Sequence, residues 1–158
     1  MRRQEELRDE LRADGISYVF LGEELGGRPA EQKYFCDGIA DYEKMREAPK
    51  FEEGIRRVEE GSERYRIALM CSEKDPLDCH RCLLVGRALR DRGLRVEHII
   101  SNGARKSQEE IEQQLLTMAN SDRADFFNPP EQQIGTAYRK RSRKVAYTDQ
   151  HAREASGD

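Results

Sequence analysis

Residues 66–71 read RIALMC, a short apolar stretch followed by the polar loop SEKDPLD at residues 72–78. Its length and composition are typical of a buried strand. Two similar stretches, ISYVFL at residues 16–21 and RVEHII at residues 95–100, predict two further strands. The stretch at residues 66–71 therefore sets the expected fold, since the other two strands would have to pair with it.

Amphipathic patterns separate these strands and predict helices on either side of them. The predicted helices span residues 2–13, 50–63, 79–91, 107–118 and 131–147. Alternating strands and helices indicate parallel strands joined by helical crossovers. We therefore predict an α/β fold, a small, mainly parallel three-layer sheet with a C-terminal helical extension.

The composition fits one domain in a chain of 158 residues. We predict a single α/β domain at residues 1–147, with the helical extension at 119–147 and a disordered tail at 148–158. No apolar run reaches the ~18 residues of a membrane span, and the N-terminus does not resemble a secretory signal. We therefore expect a cytoplasmic protein that has no membrane partner. A net charge of −3 gives no overall argument for a polyanionic partner.

The loop after the strand at residues 66–71 contains the candidate site. Open α/β sheets bind ligands beyond the carboxyl ends of their strands, where a helix N-terminus favours anions. Cys71 is a candidate nucleophile, and Glu73 and His80 are a candidate acid/base pair. Arg81 would hold a phosphate or carboxylate through two parallel hydrogen bonds. These four residues predict an anion-binding cleft.

A second loop follows the first predicted strand. It supplies three further ligand-binding candidates, Gly26, Gly27 and Arg28. Glycine permits close approach of the backbone to a ligand, and the arginine adds positive charge. Because parallel strands end at the same sheet edge, we expect this loop to meet the Cys71 loop.

Three alternatives use the same residues. The loop could be purely structural, with Arg81 bonded to a neighbouring carboxylate. The spacing Cys79-x-x-Cys82 is that of thiol oxidoreductases. Zinc could bind Cys71, Cys79 and Cys82 with either His80 or Cys36. Since no second Cys-x-x-Cys pair is present, we predict no metal and no cofactor.

The sequence also resembles a known family, the bacterial and archaeal proteins of domain of unknown function 488. The resemblance lies in LGGR at residues 25–28, ALMCSEKDP at 68–76, CHR at 79–81 and VEHI at 96–99. It implies an α/β fold but no established reaction. It also implies that Cys71, Glu73, His80 and Arg81 belong to the family signature, whereas Cys82 does not.

The family pattern usually begins with a strand, a helix and a second strand, none of which precedes residues 2–13 here. Either a truncated chain or a misassigned start codon would explain this, and in both cases we expect an exposed sheet edge through which the chain could form a homo-oligomer.

The leading functional hypothesis is an anion-binding protein, for a phosphate- or nucleotide-like ligand, with cysteine-dependent or acid/base catalysis at the Cys71–Arg81 loop. The alternative is a noncatalytic nucleic-acid-associated module that uses the basic segment at residues 139–144.

Overall fold

Helices form most of the structure, which is a computed structural model describing residues 2–120 and 129–149. Its α-helices are α1 (Arg2–Ala13), α2 (Gly22–Leu25), α3 (Tyr42–Arg46), α4 (Pro49–Ser62), α5 (Arg87–Asp91), α6 (Gln108–Asn120) and α7 (Pro130–Val145). Short 3₁₀ turns lie at Gln32–Tyr34 and Pro76–Asp78, and a π-helical segment at Arg81–Gly86 leads into α5. The predicted helices are therefore present, although the one expected at residues 79–91 begins with the wider π geometry.

Local sequence explains where these helices start. The side chain of Asp41 accepts hydrogen bonds from the backbone N–H groups of Glu43 and Lys44, which caps α3. Pro49 occupies the first turn of α4, where no backbone donor is needed. The apolar stripe of α4, from Phe51 to Val58, is buried, as its helical spacing predicts.

The core lies where α4, the π-helical segment, α6 and α7 meet. Its most deeply buried side chains include Ile55, Leu84, Leu115 and Tyr138. The guanidinium of Arg87 lies 4.5 Å from the centre of the Tyr138 ring. α7, predicted as an extension, therefore belongs to the core rather than to the periphery.

A buried polar cluster links the same elements. Gln108, at the start of α6, is fully buried and donates a hydrogen bond of 2.6 Å to the Tyr138 hydroxyl. Its carbonyl oxygen lies 2.6 Å from Nε2 of His98. The Tyr138 hydroxyl donates in turn to Glu112. These bonds compensate for burying polar groups and fix α6 against α7.

The predicted parallel sheet is wrong. The strands of the described chain form two small antiparallel pairs, β1 (Phe35–Cys36) with β2 (Ile39–Ala40) and β3 (Glu97–Ile99) with β4 (Arg105–Ser107). β3 lies within the third predicted strand, but its partner follows it in a hairpin. The described residues therefore contain no helical crossover between parallel strands.

The first two predicted strands fail for a physical reason. Residues 16–21 and 66–71 have no strand partner among the described residues. Val19 is 62% exposed and Met70 is 66% exposed, so neither stretch is buried. Apolar and β-branched residues favour extended backbone, but only pairing and burial turn that preference into a strand. Self-association through an edge of the predicted sheet loses its structural basis.

The C-terminal end is only partly described. Thr148, in the predicted tail, pairs with Ile39 in an isolated antiparallel bridge. Residues 121–128 of the predicted extension and 150–158 of the predicted tail lie outside the described residues. No helix in the described part of the chain is both long and apolar enough to cross a membrane.

Candidate functional site

A sharp turn in the loop after residue 71 brings its two ends together. Asp75 accepts a hydrogen bond of 2.8 Å from the backbone N–H of Leu77, and Pro76 begins the 3₁₀ turn and is buried. Arg141 of α7 donates a 2.8 Å hydrogen bond to the Leu77 carbonyl and pairs with Asp78. The loop is thus fixed by its own turn and by the last helix.

Two cysteines meet across this turn. Cys71 and Cys79 are joined as a disulfide, with their Cα atoms 7.6 Å apart. Cys79 is fully buried, whereas Cys71 is partly exposed. The backbone N–H of Arg81 donates to the Cys79 sulfur over 3.3 Å. The bridge therefore has one accessible end and one buried end.

A carboxylate and an imidazole complete the cluster. Glu73 Oε2 lies 3.7 Å from the Cys79 sulfur, and the Ser72 hydroxyl donates to Glu73 Oε1 over 3.0 Å. The donor atoms of Cys71, Glu73, Cys79 and His80 all lie within 4.8 Å of one another. We call these four residues the Cys-Glu-His cluster. It combines two sulfurs, a carboxylate and an imidazole in one place.

The Gly27 backbone limits the position of the His80 ring, and burial controls its protonation. A Cβ atom at position 27 would lie 2.8 Å from its Cγ atom, so the Gly27 backbone rests directly on the ring. Burial is the main cause that lowers the pKa of His80, and the charges of Arg81 and Arg28 lower it further against the opposing effect of Glu73. The imidazole is therefore neutral at neutral pH and has a lone pair available.

Of the remaining predicted ligand-binding residues, Arg81 and Arg28 lie near the cluster, whereas Gly26 has a structural role at the end of α2. Arg81 and Arg28 are both close enough to act on the pKa of His80. Arg81 Nη1 is 3.4 Å from the Leu69 carbonyl oxygen, and the Arg28 guanidinium lies 5.1 Å from the centre of the Tyr147 ring. Within residues 2–120 and 129–149, neither guanidinium forms an ion pair with a carboxylate. Gly26 instead ends α2, where a Cβ would collide with the Gly22 carbonyl oxygen.

Cys82 and Cys36 take no part in the cluster. The Cys82 thiol is buried against Gln108, and this burial raises its pKa to about 12. Cys36 lies beside Asp37 on the β1–β2 hairpin and is also a free thiol. Cys79 is paired with Cys71 rather than with Cys82. The Cys-x-x-Cys interpretation therefore assigns the wrong partner, and the zinc hypothesis includes cysteines that lie elsewhere.

No feature of the sequence directly indicates that Cys79 pairs with Cys71. Our prediction places Cys79 in the redox and zinc alternatives and expects no disulfide, because a chain without a secretory signal is expected in a reducing compartment. The available signal was Asp75-Pro76, a dipeptide that favours a turn and returns the chain upon itself.

Two of the five basic residues in the segment at 139–144 of α7 form ion pairs within the chain. Arg141 pairs with Asp78, and Arg143 pairs with Asp37. Arg139 donates to the Thr136 hydroxyl over 3.1 Å. These two pairs neutralise part of the positive charge of the segment.

Comparison with known families supports the resemblance described above. The match is to the family described as Domain of unknown function DUF488, and it covers residues 2–88, more than half of the chain. The chain belongs to this family. All four residues of the Cys-Glu-His cluster lie within the DUF488 match, whereas Arg141 and Tyr147 lie beyond it. No curated protein and no solved structure matches the chain.

Proposed function

We propose that the Cys71–Arg81 loop is a cysteine-dependent redox centre, in which Cys71 and Cys79 exchange between dithiol and disulfide. The observation that carries this proposal is the bridge between the two cysteines, with Glu73 and His80 beside it. Cys71 is the attacking thiol because it is partly exposed, whereas the buried Cys79 is reached only from Cys71.

The chemistry runs in two exchange steps. The Cys71 thiolate attacks one sulfur of a small disulfide, forming a mixed disulfide and releasing one thiolate. The Cys79 thiolate then attacks the Cys71 sulfur, which forms the internal bridge and releases the second thiolate. The substrate disulfide gains two electrons and the protein dithiol loses two. An external thiol returns the bridge to the reduced state by the reverse exchange.

The neighbouring groups supply proton transfer for these steps. Glu73 Oε2 lies 3.7 Å from the Cys79 sulfur and accepts its proton as that thiol becomes a nucleophile. The His80 imidazole lies within 4.8 Å of the Cys71 sulfur and serves Cys71 in the same way. His80 then passes the Cys71 proton to the first leaving thiolate, and Glu73 passes the Cys79 proton to the second.

The preferred substrate class is an anionic disulfide. Arg28 and Arg81 both place positive charge at the cluster, and neither has a carboxylate partner in the described ranges. A guanidinium binds a carboxylate or phosphate through paired hydrogen bonds. The anion-binding hypothesis is thereby retained, with the two arginines binding the anionic groups of the substrate disulfide.

Disulfide exchange with the reduced chain tests the proposal. Glutathione disulfide carries carboxylates, while cystamine is cationic, so the pair separates reactivity from charge preference. We expect peptide mapping to find Cys71 bonded to Cys79 after either oxidant, and glutathione disulfide to react faster at low salt.

Two variants and a control sharpen this test. Cys71→Ser should abolish the reaction, and Cys36→Ser is the matched control that should preserve it. Arg81→Lys keeps the charge but loses the guanidinium fork, and a charged hydrogen bond contributes about 1.5–3 kcal/mol. Its reaction with glutathione disulfide should therefore slow by roughly ten- to a hundredfold, with cystamine much less affected. A Cys71 that stays reduced in excess oxidant refutes the redox function.

A further inference from the structure

The Cys-Glu-His cluster has a donor set that a soft metal ion recognises. Thiolates select ions such as Zn²⁺ over Mg²⁺ or Ca²⁺, and imidazole and carboxylate are also common zinc ligands. All four donor atoms lie within 4.8 Å of one another. In a tetrahedral site with bonds of about 2.0–2.3 Å, ligand atoms are separated by roughly 3.3–3.8 Å. Once the bridge is reduced, side-chain rotations would bring the cluster to that geometry.

We propose that the reduced chain binds one Zn²⁺ ion through Cys71, Glu73, Cys79 and His80. The backbone supports this assignment because the Cα atoms of the two cysteines are 7.6 Å apart. Disulfides usually hold their Cα atoms about 4.4–6.8 Å apart. In the reduced chain, this wider backbone separation lets the two sulfurs move apart to the spacing of zinc ligands.

Three of the four donors are already oriented by a neighbour, and the Cys71 sulfur lies 3.7 Å from the Glu73 carbonyl oxygen. The Arg81 N–H donates to the Cys79 sulfur, and the Ser72 hydroxyl holds Oε1 of Glu73 so that Oε2 faces that sulfur. The Gly27 backbone fixes the position of the His80 ring. Such partners orient ligands and tune affinity in metal sites.

The charge of the loaded site is also compensated. Two thiolates and a carboxylate carry three negative charges, of which Zn²⁺ neutralises two. Arg28 and Arg81 lie close enough to act on His80 electrostatically, so they stabilise the remaining negative charge. The binding does not depend on the redox proposal, because a thiol pair that exchanges slowly would hold the ion equally well.

Zinc binding to the reduced chain tests this inference directly. The chain is reduced, freed of metal under anaerobic conditions and titrated with Zn²⁺ in competition with a chromophoric chelator. We expect one ion per chain. Cys71→Ser and His80→Ala should each weaken binding at least tenfold, while Cys36→Ser should leave it unchanged. Absence of tight binding by the reduced wild-type chain, or equal losses in all three variants, overturns the proposal.

A second measurement on the wild-type chain avoids any variant that fails to fold. Co²⁺ is a spectroscopic substitute for Zn²⁺, and each thiolate ligand adds to its charge-transfer absorption. We expect an absorption corresponding to two thiolates and a visible spectrum typical of tetrahedral coordination. A Co²⁺ complex without thiolate absorption refutes the ligand assignment.

The zinc and redox proposals can each be refuted without affecting the other. A chain that exchanges with glutathione disulfide but binds no Zn²⁺ eliminates the metal site and retains the redox centre. A chain that binds Zn²⁺ but resists oxidation eliminates the redox centre and retains the metal site.

Discussion

The contact between Gly27 and His80 gives the sharpest test of the cluster geometry, through the substitution Gly27→Ala. The new Cβ would lie 2.8 Å from His80 Cγ and 2.9 Å from its Cβ, whereas ordinary contact begins near 3.4 Å. The φ angle of Gly27 is outside the left-handed region, so alanine meets no backbone strain there. The ring must therefore move by about 0.6 Å, the difference between the two distances.

This displacement is large for a metal ligand. Zinc–ligand distances are held within about 0.2 Å, so a ring moved by 0.6 Å no longer fits without further rearrangement. Disturbing a partner that orients a ligand typically weakens metal binding by about 10- to 100-fold. We expect that loss of Zn²⁺ affinity for Gly27→Ala, equivalent to roughly 1.4–2.7 kcal/mol.

Chelator competition on the reduced variant measures the effect, and thermal unfolding shows that the variant is folded. Gly135→Ala is the matched control, because a Cβ there meets Arg139 Nη1 at an ordinary 3.8 Å. That substitution lies inside α7 and should leave zinc affinity unchanged. A folded Gly27→Ala chain that binds Zn²⁺ within about twofold of wild type would show that the ring is not held as argued.

Three further outcomes follow from individual contacts. Gln108→Leu removes the buried partner of His98, while Tyr138 keeps its bond to Glu112, and should lower the free energy of unfolding in urea by about 1–3 kcal/mol, the cost of one unsatisfied buried group; a loss below about 0.5 kcal/mol would contradict this account. Cys82 is fully buried, so iodoacetamide should label it far more slowly than Cys36 in the native chain and equally fast in urea; equal native rates would refute its burial. Asp75→Ala removes the 2.8 Å bond to Leu77 and should weaken zinc binding, whereas Asp75→Asn keeps an acceptor and should retain it; identical behaviour of both variants would exclude the turn as a support of the cluster.

Helical regularity could be predicted from the sequence because it depends on local spacing. The stripe from Phe51 to Val58 predicted α4 to within a residue at each end, and the pattern of α6 did so almost as well. Strands need partners distant in sequence, and an apolar stretch does not specify them. This is why residues 16–21 and 66–71 satisfied every local criterion for a strand and yet remain unpaired in the described chain.

The candidate site was predicted from an argument whose premise is wrong. Gly27 and His80 do lie in contact, but not at the edge of a parallel sheet. Their meeting depends on the turn at Asp75-Pro76, which leads the chain to His80, and on the close approach of the Gly27 backbone to that ring. The pairing of Cys71 with Cys79 could not be ranked above other pairings from sequence, because four cysteines allow several.

The cluster depends on residues beyond the part of the chain that matches the family. Its four donors fall within residues 2–88, yet Arg141 of α7 holds the carbonyl of Leu77 in the middle of the loop. Tyr147 lies beneath the guanidinium of Arg28, which acts on His80. α7 is itself fixed to α6 through Tyr138 and Gln108. The geometry of the Cys71–Arg81 loop is therefore a property of the packed helices as a whole, because an eleven-residue loop without a strand partner among the described residues has too few internal contacts to hold four donors together.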